Sequence, residues 1–387
     1  MLGSVIGLLV FVAAQSAAAA TSAPAPGSAK KPPSANFERE WSDLIAGARR
    51  EGRFIINPPP TWQRLEGLGQ LLAAFEKEFG IKVTSSRGTG AAQAERVLAE
   101  RRAGIYNSDI FIGGAATFGT LLSAKVLDPI KPLLFHPEVV DQSLWKGRVH
   151  RYLDAAQEYV FIYAARNAPV GISINTQLVR PGEIKSFWDL LNPKWKKKVV
   201  AYQPRTAQAG VTYSQVYWNK ELGPEFLRRI YSWEGIRLVT TTREFSDGLA
   251  AGAYAIGFLE GPAQREIRGL EGQGLPVKMF MGQDVGMKVA VASPGGASIF
   301  VAVNKAANPN AQKLFVNWLL TRRVQLLFNR HGEAEYESLR ADVPNDDVSP
   351  LYRIPKNFYL PEADPESQKK EEIAVKFIRQ LVNELGL

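Results

Sequence analysis

Cysteine is absent from all 387 residues. That excludes disulfides, thiolate metal sites, a cysteine nucleophile and a lipid-modified N-terminal cysteine. Histidine is scarce: only His136, His150 and His331 occur, far apart, and none sits in H-E-x-x-H or a comparable zinc spacing. No G-x-S-x-G elbow appears either. Adjacent carboxylates exist as Asp346-Asp347 and Glu371-Glu372, but in polar tail segments where solvation accounts for them. Nothing assembles a nucleophile, a base and an oxyanion donor, so a binding protein is expected rather than an enzyme. Long apolar runs are lacking too. The stretch 5–14 is too short to span a bilayer.

That stretch is followed by Ala18-Ala19-Ala20, an A-x-A cleavage pattern. Residues 1–20 therefore read as a secretory signal peptide, and a soluble periplasmic protein is expected. No Lys or Arg precedes the run, which points to an initiating Met a few codons upstream. Residues 21–36 are rich in Pro, Ala and Ser and read as a flexible tether. The S-x-x-K match at Ser28 to Lys31 falls in this tether, whereas a catalytic serine needs a rigid helix start. Net charge is +9, with the basic residues spread along the chain. The one dense run, Lys194-Trp195-Lys196-Lys197-Lys198, reads as a solvated turn rather than a nucleic-acid patch.

From residue 37 the chain alternates. Residues 40–52 read as a helix closed by Gly52, and 53–57 as a strand stopped by Pro58-Pro59-Pro60. Leu65, Leu68, Leu71, Leu72 and Phe75 recur at helical spacing, with Gly80 past the helix end. A strand at 81–84, a helix at 91–103, a strand at 109–112 and a helix at 117–124 follow. A second series has strands at 159–164, 171–175, 199–202, 238–241 and 254–259. Its helical parts are a short helix from Ser186 to Leu191, one opened by Pro204-Arg205-Thr206 through about residue 218, and one behind the capping box Thr241-x-x-Glu244. The expected class is α/β, with mostly parallel sheets flanked by helices. In such sheets the ligand crevice lies beyond the carboxyl ends of the strands. Here those ends carry residues 58–62, 87–90 and 113–117, and the last two are glycine loops leading into helices. Uncovered N–H groups there favour a small anion.

Several segments in this order resemble the extracellular solute-binding proteins of the type II periplasmic class, in the subgroup similar to ferric-ion-binding receptors. They are Leu71 to Lys77 with Gly80-Ile81-Lys82-Val83, Asp109 to Gly114, Trp188-Asp189-Leu190-Leu191 with Pro193 to Lys196, Pro204-Arg205-Thr206-Ala207, Lys313 to Leu320, and Arg340-Ala341-Asp342-Val343. The resemblance runs from about Trp41 to the C-terminus. It implies two α/β lobes joined by crossing hinge strands, with residues 37–171 and 295–343 in lobe 1 and 172–294 and 344–387 in lobe 2. The chain would pass over near residues 172–176 and return near 295–301. It also implies a monomer without cofactor that delivers a small anionic solute to an inner-membrane ABC permease. Hinge closure suits such a binder, since solute touches both lobes only in the shut form. The resemblance leaves open a sensor module on the same fold.

In the iron-binding relatives two adjacent tyrosines hold the metal, and the matching position here is Glu260-Gly261. A carboxylate ligand of some relatives falls at Ala115. A hard ferric ion needs several anionic oxygens, and only Glu260 offers one; Tyr213, Tyr217 and Tyr336 read as core. An organic anion of the carboxylate or phosphonate type is the expected solute, with ferric ion plus a synergistic anion as the alternative. Arg205 and Thr206 stand at a predicted helix start, which by resemblance is an anion site, unless Arg205 pairs with the backbone of its own loop; Arg87, in the other lobe's glycine loop, either grips the anion or is a surface charge. Trp62 either stacks on the ligand or packs on a neighbouring loop. Glu260 either takes a ligand amine, as in a zwitterion, or pairs with Arg265. The expected ligand-binding set is Thr61, Trp62, Arg87, Gly88, Thr89, Gly113, Gly114, Ala115, Asn175, Arg205, Thr206, Ala207, Thr242 and Glu260, with no catalytic or metal residue.

Overall fold

Runs such as Phe54-Ile55-Ile56 and Val199-Val200-Ala201-Tyr202 have no polar alternation, and a strand of that kind needs cover on both faces. The computed structural model describes residues 35–59, 62, 69–167, 170–180, 182–203, 210–258, 263–281, 292–295, 297–331, 335–350, 352–356, 358, 360 and 365–387. The expected signal peptide, most of the expected tether, and the Ser28 to Lys31 match lie outside them.

After α1 (Ala35–Glu51), the strands β1 (Arg53–Asn57), β2 (Lys82–Ser85) and β3 (Ile110–Ile112) pair in parallel with β1 between the others. Their crossovers contain α2 (Gly69–Phe79) and α3 (Gly90–Arg102). Then come α4 (Ala115–Ser123), β4 (Leu127–Asp128), the short α5 (Pro137–Val140) and the antiparallel pair β5 (Arg151–Tyr152) and β6 (Phe161–Ile162). β7 (Ala164–Asn167) leaves this sheet, and β8 (Gly171–Asn175) opens another. There β9 (Val199–Tyr202) lies between parallel β10 (Ile236–Val239) and β11 (Ile256–Phe258). Around them stand α6 (Gly210–Tyr217), α7 (Gly223–Ser232), α8 (Thr242–Ala250) and α9 (Gln264–Gly272). β12 (Val277–Met281) pairs antiparallel with β8. β13 (Ala292–Ser293) runs antiparallel to β7, and β14 (Ile299–Val303) re-enters the first sheet between β3 and β6, antiparallel to both. α10 (Pro309–Leu320), α11 (Arg322–His331) and β15 (Glu337–Ser338) complete the first lobe, and α12 (Pro365–Leu385) packs on α6 and α7 of the second.

Both sheets follow one plan. Three parallel strands, β2-β1-β3 or β10-β9-β11, are followed by an antiparallel strand that adjoins a lobe crossing, β14 or β8. This is the expected two-lobe α/β architecture of the type II periplasmic binding fold. The second sheet is covered on both faces: Val199 and Ala201 join one core with Phe226 and Ile378, whereas Val200 and Tyr202 join another with Phe245 and Ile267. The lysine-rich run forms a short 3-10 turn at Pro193–Trp195, with Trp195 buried and Lys196 paired to Glu234 at 3.3 Å.

Residues 171–175 lie wholly in the second sheet and 299–303 wholly in the first, and the crossing pair between them is β7 with β13. One expected boundary shifts: the passage to lobe 2 at residue 344 comes too early, because Ile354 and Leu360 belong to the first lobe's core.

Asp109 ties the base of the first lobe together. Its carboxylate accepts from the Ile55 N–H at 2.8 Å, the Asn308 N–H at 2.7 Å and the Asn308 side-chain amide at 3.0 Å. Burial outweighs these donors and pushes its carboxyl up to about 6. A folded-state value above the ordinary one means that the group favours the fold fully below the usual carboxylate range. That contribution, at most about 3 kcal/mol, is lost as pH rises through about 6. In urea titrations between pH 4 and 7, Asp109→Asn is expected to flatten the pH dependence. A profile that keeps the wild-type slope would assign it to another group.

Candidate functional site

Strand direction fixes where the two lobes face each other. The carboxyl ends of β1, β2 and β3 lead into the loops at 58, 86–89 and 113–114. β14 runs antiparallel, so it begins at that same edge, where the Gly113 N–H donates to the Ile299 carbonyl at 3.2 Å. In the second sheet the carboxyl end of β11, Phe258, lies opposite Ile172 near the start of β8. Both crossings therefore leave and enter at the strand-end edges, where an interlobe cleft is expected.

A polar network holds the first-lobe loops. Asn57, buried at the end of β1, directs Oδ1 at Arg96 Nη2 (2.6 Å) and Ser86 Oγ (2.8 Å). Ser86 Oγ also lies 2.5 Å from Gln93 Oε1. A hydroxyl has one proton. The Gln93 amide nitrogen is committed to the carbonyls of Pro58 (3.0 Å) and Gly88 (2.8 Å), so its oxygen must accept. Arg96 satisfies Asn57, which leaves the Ser86 proton for Gln93. Gln93 thus staples the first strand-end loop to the glycine loop.

Gly88 has φ +124, a conformation that L side chains rarely adopt. Thr89 caps α3, its hydroxyl accepting from the Ala92 N–H at 3.3 Å. A Cβ on Gly90 would stand 2.6 Å from Thr117 Oγ1, so the two glycine loops singled out by the sequence meet. Gly114 stands at the N-cap of α4 with no side chain to satisfy the N–H groups of that helix's first turn. In the second lobe Thr241 caps α8, accepting from the Glu244 N–H at 3.2 Å. Thr242 follows it, with its Oγ1 3.0 Å from Tyr202 Oη.

Of the expected set, Arg87, Gly88, Thr89, Gly113, Gly114, Ala115 and Thr242 occupy strand-end edges, with Arg87 exposed. Thr61, Arg205, Thr206, Ala207 and Glu260 lie outside the described residues. Two expectations need correction. Trp62 is 1% exposed, and its indole N–H donates to the Ala297 carbonyl at 3.2 Å, so the ring packs inside the first lobe rather than on a ligand. Asn175 ends a strand antiparallel to β11 and therefore sits at the sheet edge remote from the cleft. Its side chain is used there, donating to Leu249 O at 2.9 Å and accepting from the Gln177 N–H at 2.9 Å.

Tyr213 is buried with its hydroxyl 3.2 Å from that of Tyr231, and Tyr217 packs on Phe377. Tyr336 packs against the first-lobe core, 6.3 Å from Phe328, with Arg166 5.8 Å from its ring. Among the described residues no group of three or more His, Asp or Glu converges as a metal site. No described helix is long and apolar enough to cross a membrane. Sequence reading missed Asn57, Gln93 and Arg96. Asn57 had a signal, a polar residue ending an apolar strand before three prolines, whereas Gln93 and Arg96 had none.

The family model described as bacterial extracellular solute-binding protein matches residues 67–332. No curated protein sequence matches the chain. Solved structures with a similar fold include a Bordetella parapertussis protein described as an extracellular solute-binding protein, at 18% identity and TM-score 0.60, covering 87% of this chain and 99% of that one. Trichodesmium IdiA (FutA) in complex with iron and citrate has 18% identity and TM-score 0.56, with 87% and 99% covered. Iron-bound HitA from Pseudomonas aeruginosa has 16% identity and TM-score 0.54, with 85% and 98% covered.

Proposed function

The chain belongs to the bacterial extracellular solute-binding proteins, and on that footing we propose that it is a periplasmic receptor for a small organic anion of the carboxylate or phosphonate type. It captures the solute between its lobes by hinge closure and hands it unchanged to an ABC permease of the inner membrane. What supports this reading is that both lobe crossings leave and enter at the edges that carry the strand-end loops, beside the pair β7 with β13. Open helix starts and the Arg87 guanidinium supply donors for an anion, and Glu260 takes the amine of a zwitterionic solute. Arg87, Thr89, Gly114 and Ala115 are the proposed first-lobe contacts; Arg205, Thr206, Ala207, Thr242 and Glu260 are those of the second. Turnover has no part in this reading.

A ferric reading has one observation behind it: two of the similar structures hold iron, one of them with citrate. One thermal-unfolding panel separates the two readings. Carboxylates and phosphonates are tested beside Fe(III) with citrate, on protein purified without refolding. A matching solute at a hundred times its Kd adds about 2.7 kcal/mol of stability. Arg205→Ala and Arg87→Ala are each expected to weaken that solute by tenfold or more. Stabilisation by Fe(III) with citrate but by no organic anion alone would replace the anion reading with the ferric one.

A further inference from the structure

Beside the crossing strands, both lobes reach one aromatic ring. Arg166 on β7 pairs with Glu335 at 3.2 Å, and its guanidinium stands 5.7 Å from the Tyr352 ring. Tyr352 is fixed to the same strand, since the Asn167 N–H donates to its carbonyl at 2.8 Å. It is also fixed to the first lobe, because Ile354, two residues on, lies in that lobe's core. From the second lobe, α9 brings the Arg268 guanidinium to 4.1 Å from the centre of the Tyr352 ring. α9 is anchored by Ala263 and Ile267 in its own lobe's core. The contact therefore joins one lobe to the other beside the strands about which they turn.

A cation over a ring face is attracted by the ring quadrupole, and the attraction fades once the cation slides off. Relative rotation of the lobes moves α9 past Tyr352, so the stack favours the arrangement in which it forms. We infer that Arg268 and Tyr352 are positioning residues that set the balance between the open and closed forms of the receptor. This rests on the hinged-receptor reading above. Neither residue belongs to the strand-end loops, so their effect on affinity runs through that balance.

The absence of native cysteine makes the test direct. Cysteines introduced at Glu95 on α3 and Arg243 on α8, both exposed, carry a donor and acceptor dye on the full chain. Single-molecule energy transfer then reads the interlobe distance without solute. Tyr352→Phe keeps the ring and is expected to match wild type. Tyr352→Leu and Arg268→Met are expected to share a displaced distribution, with the ratio of the two forms changed about three- to tenfold. Wild-type distributions in the Leu and Met variants would overturn the inference. So would a Phe variant that behaves like Leu, because the hydroxyl rather than the ring would then matter. If Tyr352→Leu does not fold, Arg268→Met at its half-buried helix position decides alone. A wild-type chain with one fixed distance, with or without carboxylates, phosphonates or Fe(III) citrate, would remove the hinge reading and this inference together.

Discussion

Arg340→Met is expected to cost the protein about 3–5 kcal/mol, because it strands two carboxylates around a buried guanidinium. Arg340 is fully buried. Nε and Nη2 grip both oxygens of Asp342 at 2.9 and 2.8 Å. Nη2 also reaches Glu138 Oε2 at 3.2 Å, and Nη1 donates to the carbonyls of Glu138 and Leu320 at 2.8 and 3.0 Å. All five donors of the fork are used, across α5, α10 and the segment after β15. Asp342 and Glu138 each keep 23% exposure, so water recovers part of the loss and the lower end of the range is expected. Arg340→Lys is expected to recover little, since a single ammonium cannot span these acceptors. Urea unfolding measures both variants. A loss under 1 kcal/mol for Arg340→Met would mean that the pair is dispensable.

Trp62→Ala carries the second large effect, about 3–5 kcal/mol, through the cavity it leaves. The ring sits in the first-lobe core with Phe328 at 6.5 Å. Its hydrogen-bond acceptor is not orphaned by the change, because Ala297 O also accepts from the Tyr163 hydroxyl at 2.6 Å. The loss is therefore one of packing, and Trp62→Phe is expected to retain most of the stability. An alanine variant as stable as wild type would return the ring to the cleft as a ligand contact.

The contrast between Trp62 and the glycine loops shows what was legible. Backbone demands are local. Gly52 and Gly80 close helices at positive φ, and Thr241 caps α8 by accepting from the Glu244 N–H. The strands at 53–57 and 199–202 fall where the apolar runs stand. Whether an aromatic at a strand end faces solute or core depends on a partner 235 residues away, and no local pattern encodes it. Asn175 was misread for a similar reason, since a strand's direction within a sheet is set by its neighbours. The Arg166, Arg268 and Tyr352 cluster draws on three separated segments and left no mark in any one of them.

The placement of β14 bears on how the molecule matures. β3 and β6 are made early, yet the strand that lies between them arrives only after the whole second sheet. A chain emerging from its N-terminus thus holds two unjoined edges until β14 arrives, and the second lobe in turn waits for α12, which supplies Ile378, Leu381 and Val382 to its core. Closure of the first lobe waits for distant residues, the kind of topology that folds slowly.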